Sequence, residues 1–505
     1  MRNQSQYSDG DIIGVSVDLD TRTLAFYLNG ERTVEWSGVL KGPVNPYISF
    51  RHANGPAATL FQLPACASSR ASNVDVHLKQ REVVTADFIL VDGSLLEGGG
   101  QVLRVALACA ALFRNPVHIH SIRAGRRKPG LGHQHSTGAR LIADLCGGII
   151  RPEAIQYGGH CEGVGELFLW PGSKSLRGGQ FVSDTHTAGA VTLLLQAALP
   201  CALLLPRDSP LCMVLKGGTN VRWSPPIDFV QLCLFPALRK FDIQKNLSRQ
   251  LVRRGYYPKG GGEIIVEVEP VRTLKPISMV KQGTPVNIVG AIFGFGLLRR
   301  ELKEIYQIAK QRLLEQFGEK IHLDLRVSEK QPAAAERKNR NTSKAAFQSE
   351  FKKGLSRKER KLMADERRDR SSVCAGCVLV LETDTGSLIS GDSLIECTGK
   401  AGRIFSAKEV ADEAVNRLTE AWEAGGCVDE YLMDQLIIFM ALANGTSQIL
   451  CPRTTSISSR HLDTAIYFAE LLCGVKFRIS KLDNGTKLIE CDGIAYGVKQ
   501  PQTSH

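Results

Sequence analysis

Residues 92–104, Asp-Gly-Ser-Leu-Leu-Glu-Gly-Gly-Gly-Gln-Val-Leu-Arg, set three consecutive glycines between a carboxylate, Glu97, and an amide, Gln101. A glycine run costs chain entropy unless the backbone must bend sharply or something must approach it closely. This one leads directly into an apolar-periodic segment that ends near Phe113. A helix starting there turns its unpaired N–H groups and the positive end of its dipole outward, toward an anion. Glu97, Gln101 and Arg104 are then the polar side chains of a phosphate-handling turn, and a plain strand-to-helix turn is the alternative. A second cluster follows, in which Arg123, Arg126, Arg127 and Lys128 fall within six residues, before Pro129 and Gly130. Gln134 and His135 stand at the start of the next helical segment. The planar fork of arginine suits bidentate phosphate binding. A basic loop by itself is a solvated turn, but after a glycine-rich turn it reads as an oligonucleotide or phosphate site.

Further along, Tyr431, Asp434 and Gln435 lie at i, i+3 and i+4, so a helix presents all three on one face. Leu432, Leu436 and Met440 form the apolar stripe that such a helix turns to the core.

The elements that must position these residues are repeating strand–helix units from Asp87 onward. Helical periodicity covers 100–114, 134–147, 187–199, 226–240, 407–424, 430–443 and 463–473. Short β-rich runs lie at 117–122, 203–205, 212–216, 263–268, 377–382 and 476–480, and paired glycines recur at the joints. The pattern predicts an α/β (α+β) architecture of repeated βαβ-type units in a large domain. Residues 270–395 are less regular and read as a smaller inserted α/β domain. The large domain then occupies 86–269 and 396–497. Residues 10–62 alternate in the strand manner around a hairpin signal, Asn29-Gly30, so 1–63 form a short all-β fragment and 64–85 a linker.

The chain has 505 residues, enough for two to four domains, with 43% hydrophobic and 23% charged residues and a net charge of +12. No apolar run reaches the roughly 18–20 residues of a membrane span, and the first residues lack a secretory core. Fourteen cysteines, mostly single within apolar runs, read as reduced thiols of a cytosolic or nuclear protein. The single CxxC, Cys374 and Cys377, is half a zinc site and reads as structural. Residues 331–370 hold 13 Lys/Arg against 6 Asp/Glu and almost no branched apolar residues. Such a segment, taken as 331–372, cannot bury enough surface to order itself and is expected to be disordered. A nuclear-localisation or nucleic-acid patch and a roleless insertion loop both fit it.

Six words in order then resemble the RNA 3′-terminal phosphate cyclase family. They are Glu97–Arg104, Arg123–His135, Lys216–Asn220, Arg254–Gly262, Asp429–Gln435 and Ser459–Ile466, and they span roughly 86–495. The resemblance is to the catalytic branch, and it implies His461 as the nucleophile that attacks the α-phosphate of ATP. It implies ATP contacts at Gln196, Pro225, Tyr431, Asp434 and Gln435. For the RNA 3′-phosphate and the reacting phosphates it points to Glu97, Gln101, Arg104, Arg123, Arg126, Gln134 and His135. The implied reaction passes through a histidyl-AMP and an RNA-pp-A end to a 2′,3′-cyclic phosphate. Mg²⁺ or Mn²⁺ is expected beside the phosphates, with Glu97 a candidate ligand and no dedicated metal site. The implied large domain is similar to the C-terminal domain of a bacterial translation initiation factor, and the insert to a thioredoxin-like fold. The rival is a non-catalytic cyclase-like factor of ribosomal RNA processing. Residues 10–62 resemble the C-terminal half of a SPRY domain, which implies a protein partner beside the RNA. No membrane association is expected. The basic stretch suggests the nucleus, with the cytoplasm the alternative.

Overall fold

The computed structural model describes residues 88–156, 161–172, 175–243, 246–328, 372–398, 405–454 and 456–498, together with five strands before residue 87. The chain divides into two units, Met1–Asp87 and Phe88–His505. In the first, β1 (Ile13–Asp18), β2 (Thr23–Leu28) and β3 (Glu31–Ser37) form an antiparallel meander. Leu28 pairs with Glu31, and the hairpin signal Asn29-Gly30 between them lies outside the described residues. β4 (Tyr47–Arg51) and β5 (Ala58–Gln62) make a separate antiparallel pair.

The second unit repeats one pattern three times. β6 (Ile89–Asp92), α1 (Gly100–Phe113), β7 (Val117–His120), α2 (His133–Cys146), β8 (Ile149–Arg151), the short α3 (Glu153–Gln156) and β9 (Leu167–Trp170) form the first βαβαββ unit. Its sheet order is β6-β7-β9-β8, with the first pair parallel and the others antiparallel. β10 (Gly179–Asp184), α4 (Val191–Leu203), β11 (Leu211–Gly217), α5 (227–239), β12 (Leu247–Arg253) and β13 (Gly262–Val268) repeat it, in the order β10-β11-β13-β12. Helix α5 contains a π-helical turn, Val230–Leu234, just before Pro236, which has no N–H for the α-helical ladder.

β14 (Ser278–Met279) opens a third unit that is interrupted at once. The interruption comprises β15 (Pro285–Phe295), α6 (Arg299–Phe317), β16 (His322–Val327), β17 (Ser372–Thr383), β18 (Leu388–Thr398) and α7 (Ala407–Glu423). Its sheet order is β16-β15-β17-β18. The third unit resumes with α8 (Glu430–Leu442), β19 (Thr446–Cys451), α9 (Ser456–Cys473), β20 (Phe477–Lys481) and β21 (Lys487–Asp492), in the order β14-β19-β21-β20. The architecture is mixed α/β, as the sequence pattern requires. Strand spacing of two and helix spacing of 3.6 each turn one apolar face inward.

One continuous core runs through the three repeats, from Val91, Leu103 and Leu107 through Leu194, Leu215 and Phe235 to Leu436 and Phe468. The insert has its own core of Ile288, Ile305, Leu313, Leu379, Val410 and Leu418. Helix α7 therefore belongs with the insert, which moves the boundary at 395/396 to beyond Glu423. Its buried Val410, Ala414 and Leu418 close the insert's sheet rather than the large core. The β-rich run at 203–205 is instead the end of α4 and the turn after it. Helix α6 was not read from the sequence, although Leu302, Ile305, Ala309 and Leu313 recur at helical spacing and are buried. The basic segment 331–372 and the linker 64–85 lie outside the described residues, apart from the first residue of β17.

Candidate active site

The glycine turn ends where α1 begins. Gly98 adopts φ +55 and its N–H donates to Leu95 O at 2.8 Å, closing the bend. At Gly100 a Cβ would lie 2.9 Å from Arg104 Nη1 and 3.0 Å from His135 Nε2. Only a bare backbone allows those two side chains to converge on the first turn of α1. Glu97 is held from two sides. Its N–H donates to Thr464 Oγ1 at 3.0 Å, and Arg126 donates to its carbonyl at 2.9 Å and to its carboxylate. Glu97 Oε2 and Arg104 Nε are buried, with no hydrogen-bond partner among the described residues. A buried carboxylate oxygen and a buried guanidinium N–H without partners fit a cation and an anion brought together by a ligand.

Across from α1, helix α9 carries His461. Its Nδ1 lies 3.0 Å from Gln101 Oε1, and Gln101 Nε2 donates to Asp434 Oδ2 at 2.8 Å. The Gln101 amide thus turns its NH₂ to Asp434 and its oxygen to His461. That oxygen requires a proton on His461 Nδ1 and leaves the Nε2 lone pair free. Burial, opposed by the Glu97 carboxylate and reinforced by Arg104 and Arg126, holds the His461 pKa below the usual imidazole value. The ring is therefore neutral at physiological pH.

His135 has the opposite tautomer. The Gly132 N–H donates to its Nδ1 at 3.1 Å, so its proton sits on Nε2, the atom that faces Gly100. Burial, with Arg123 and Arg104 adding repulsion, lowers its pKa to about 3. It is a neutral donor rather than a cation. Asp434 is pushed up to about 7 by burial, which the Arg104 charge and the Gln101 hydrogen bond only partly offset.

Gln101, Arg104, Gln196, Asp434 and Gln435 line one cleft among α1, α4, α5 and α8, with Leu199, Leu234, Ile438 and Phe439 as its apolar wall. Tyr431 and Pro225 do not line it. The Tyr431 ring packs edge-on to Phe229 at 5.7 Å, and its carbonyl accepts from Gln435 Nε2 at 2.6 Å. Arg123 is half-buried and donates to Gly130 O at 2.8 Å, while Arg127 and Lys128 are exposed. Gln134 is committed elsewhere, accepting from the N–H of Ala190 at 2.7 Å and so tying the start of α2 to the start of α4. Leu432, Leu436 and Met440 are fully buried, but α8 is buried nearly all round rather than on one stripe.

The sequence model for RNA 3′-terminal phosphate cyclase matches residues 95–479. An RNA 3′-terminal phosphate cyclase of Pyrobaculum neutrophilum is 32% identical over 408 residues, 81% of this chain and 99% of its own length. A probable RNA 3′-terminal phosphate cyclase of Dictyostelium discoideum is 33% identical over 441 residues, 85% of this chain and 88% of its own. An RNA 3′-terminal phosphate cyclase of Drosophila melanogaster is 30% identical over 411 residues, 80% and 96% respectively. The chain belongs to the RNA 3′-terminal phosphate cyclase family.

Every candidate residue of the cyclase site lies inside the matched range, and the N-terminal strands lie outside it. Two further cyclase words are structural. Arg254 forks onto buried Asp228 at 2.6 and 2.8 Å, donates to Asn220 Oδ1 at 3.1 Å and covers the Phe293 ring at 4.5 Å. The motifs at 216–220 and 254–262 thus lock the second repeat to the insert. Asp429, buried, caps α8 by accepting from Tyr431 and Leu432 N–H at 2.9 and 2.7 Å, and also holds Ser390 N–H of β18 at 2.8 Å. Asp392 of β18, raised to about 6 chiefly by burial, faces Tyr431 and Arg417. Sequence reasoning missed Thr464, Asp228 and Asp392, because their partners are far off in the chain. Only Asp429 had a local signal, an aspartate at a helix start. Cys374 and Cys377, three apart on β17, point to opposite faces of the sheet. Among the described residues no group of three metal-ligating side chains exists, and no helix is long and apolar enough to cross a membrane.

Proposed function

We propose that this protein is an ATP-dependent RNA 3′-terminal phosphate cyclase of the catalytic branch, with His461 as its nucleophile. The observation that carries this reading is the Asp434–Gln101–His461 relay. It fixes one tautomer and leaves the Nε2 lone pair free, in a site where Arg104 Nε is buried without a hydrogen-bond partner. A non-catalytic RNA-binding factor has no use for such an arrangement.

In the first step the His461 Nε2 lone pair attacks the α-phosphorus of ATP. The Nε2–P bond forms, the bond to the bridging oxygen breaks, and pyrophosphate leaves. The imidazole charge that develops is drained through Nδ1–H toward Gln101 and Asp434. An oxygen of the RNA 3′-phosphate then attacks the same phosphorus, the P–N bond breaks, and His461 is restored. Finally the vicinal 2′-OH gives its proton to water and attacks the phosphorus of the RNA 3′-phosphate, whose bond to the AMP oxygen breaks, so AMP leaves and the 2′,3′-cyclic phosphate closes. The last step is intramolecular, so proximity supplies much of its rate. Arg104 and Arg126 offset the charge that builds on the phosphoryl oxygens, and the His135 Nε2–H donates one neutral hydrogen bond.

Gln196 and Gln435 are assigned to the nucleotide. So are Tyr431 and Pro225, on the family resemblance alone. Glu97 Oε2 is the one site atom suited to Mg²⁺ or Mn²⁺, which would supply charge neutralisation for the phosphates. The nuclear address and a protein partner for the SPRY-like strands are further proposals that rest on the sequence alone.

Incubation with α-labelled ATP and Mg²⁺ without RNA tests the enzyme reading. An acid-labile covalent label on the wild type, absent from His461→Ala, is the expected result. A folded wild type that takes no label moves the chain to the binding branch.

A further inference from the structure

Trp223 is 96% exposed, the extreme among the large apolar side chains of the described residues. An indole is among the side chains most reduced in water contact by folding, so a wholly solvated one needs a reason. The loop that bears it is not loose. Thr219 and Asn220 donate their N–H groups to Gly255 O at 2.9 and 3.1 Å, Ile227 N–H returns to Thr219 O at 2.9 Å, and Ser224 Oγ donates to Val221 O at 3.0 Å. Arg222 Nε stands 3.7 Å from Glu396 of the insert. Trp223 itself adopts φ +65, a conformation that L residues rarely take. The fold thus keeps an aromatic ring in solvent on a braced backbone.

This loop is continuous with the phosphate end of the site. Gly255 leads to Tyr257, itself 59% exposed, and to Lys259, also exposed. Gly260 lies so close to Thr187 that a Cβ there would meet its carbonyl oxygen. Two residues on, Gly189 abuts Gln134, whose amide holds Ala190 N–H. Gln134 is the neighbour of His135, whose Nε2 faces Gly100 and Arg104. An unbroken run of packed loops therefore joins the reactive end to an exposed aromatic ring, with exposed Lys259 along it.

We propose that Trp223 is a stacking platform for a nucleobase of the RNA upstream of its 3′-terminal phosphate. The proposal rests on the reading that the RNA end reacts beside His461. Stacking is indifferent to base identity, because every base offers a π-face, so the platform adds affinity without adding sequence preference. The phosphate end and the ring are different places, so the contribution requires an RNA long enough to reach both.

The test uses the full chain and 3′-phosphorylated oligoribonucleotides of increasing length, read by tryptophan emission and by the KM for cyclisation. Emission should be quenched only above a threshold length. Trp223→Ala should raise the KM of long RNAs about tenfold, close to 1.4 kcal/mol of stacking, and that of the shortest ones hardly at all. Trp223→Phe should recover most of the loss. Thermal melting of each variant checks its fold. An equal KM for wild type and Trp223→Ala at every length overturns the proposal. So does quenching by ATP alone with a raised KM for ATP, which would assign the ring to adenine. Wild-type labelling by ATP decides the underlying enzyme reading separately.

Discussion

At the residue scale the site works by proton placement. Two histidines that feel the charge of Arg104 have opposite tautomers, each fixed by one hydrogen bond to Nδ1. Replacing Gln101 with Leu removes the acceptor of His461 and the donor to Asp434 at once. A buried hydrogen-bonded group left unpaired costs about 1–3 kcal/mol, which denaturant unfolding should read, and single-turnover labelling by ATP should slow about 10–100-fold as the ring loses its fixed tautomer. Because the His461 pKa lies below the ordinary value, the acid limb of labelling should fall below pH 6.5. A limb at or above 6.5 would mean that burial and Arg104 do not act on the ring in solution. Asp434 has the opposite sign of shift. Its folded pKa of about 7 exceeds the carboxylate value of 3.8, so its contribution to stability is full below 3.8 and is lost as pH rises through 7. Denaturant midpoints of wild type should therefore decline across pH 4–7 relative to Asp434→Asn, in which that slope is absent. None of this proton placement could be read from the sequence. Gln101 and His461 stood 360 positions apart, and no local pattern joins an amide in one repeat to an imidazole in another.

The elements explain why the glycine turn and the basic loop were legible while other parts were not. Glycine runs, basic clusters and i, i+3, i+4 spacing are local signals, and Glu97, Gln101, Arg104 and His135 do meet at the start of α1. Gln134 carried the same local signal, and its Oε1 accepts from the Ala190 N–H at the start of α4. Helix α7 was placed with the wrong core, since its apolar stripe fits any sheet and its partner could not be named from periodicity. The convergence on α1 makes Gly100→Ala informative. Its methyl would press on the ends of two side chains rather than on backbone, so melting should hold. Labelling by ATP should drop more than tenfold as Arg104 and His135 are displaced. Asp228→Ala should act in the reverse way, leaving the reacting groups untouched but stranding the buried Arg254 charge. A loss of about 3–5 kcal/mol in urea denaturation is expected.

For the whole molecule, three copies of one βαβαββ unit share a single core, and each contributes differently to the cleft. The first supplies Gln101 and Arg104, the second Gln196 and the third Asp434 and Gln435, with His461 of the third bonded to Gln101. Residues 88–505 form a unit of their own, so a chain lacking 1–87 should fold and label with ATP at a rate close to that of the full chain. A fragment that aggregates would show that the N-terminal strands take part in the core.

The division of the cleft among repeats also sets an order in time. Chains are made from the N-terminus, and the first repeat can bury its apolar face while the third is still inside the ribosome. His461 arrives only with α9, and the closing contacts come later still. Ile494, Ala495 and Tyr496 return their N–H groups to the carbonyls at the end of α8, and the Tyr496 hydroxyl donates to Leu112 O at 2.8 Å, on α1. A chain that stops before α9 holds the arginines and the glycine turn but not His461. On the mechanism proposed above, unfinished copies take no label from ATP, and competence comes only with the last stretch of synthesis.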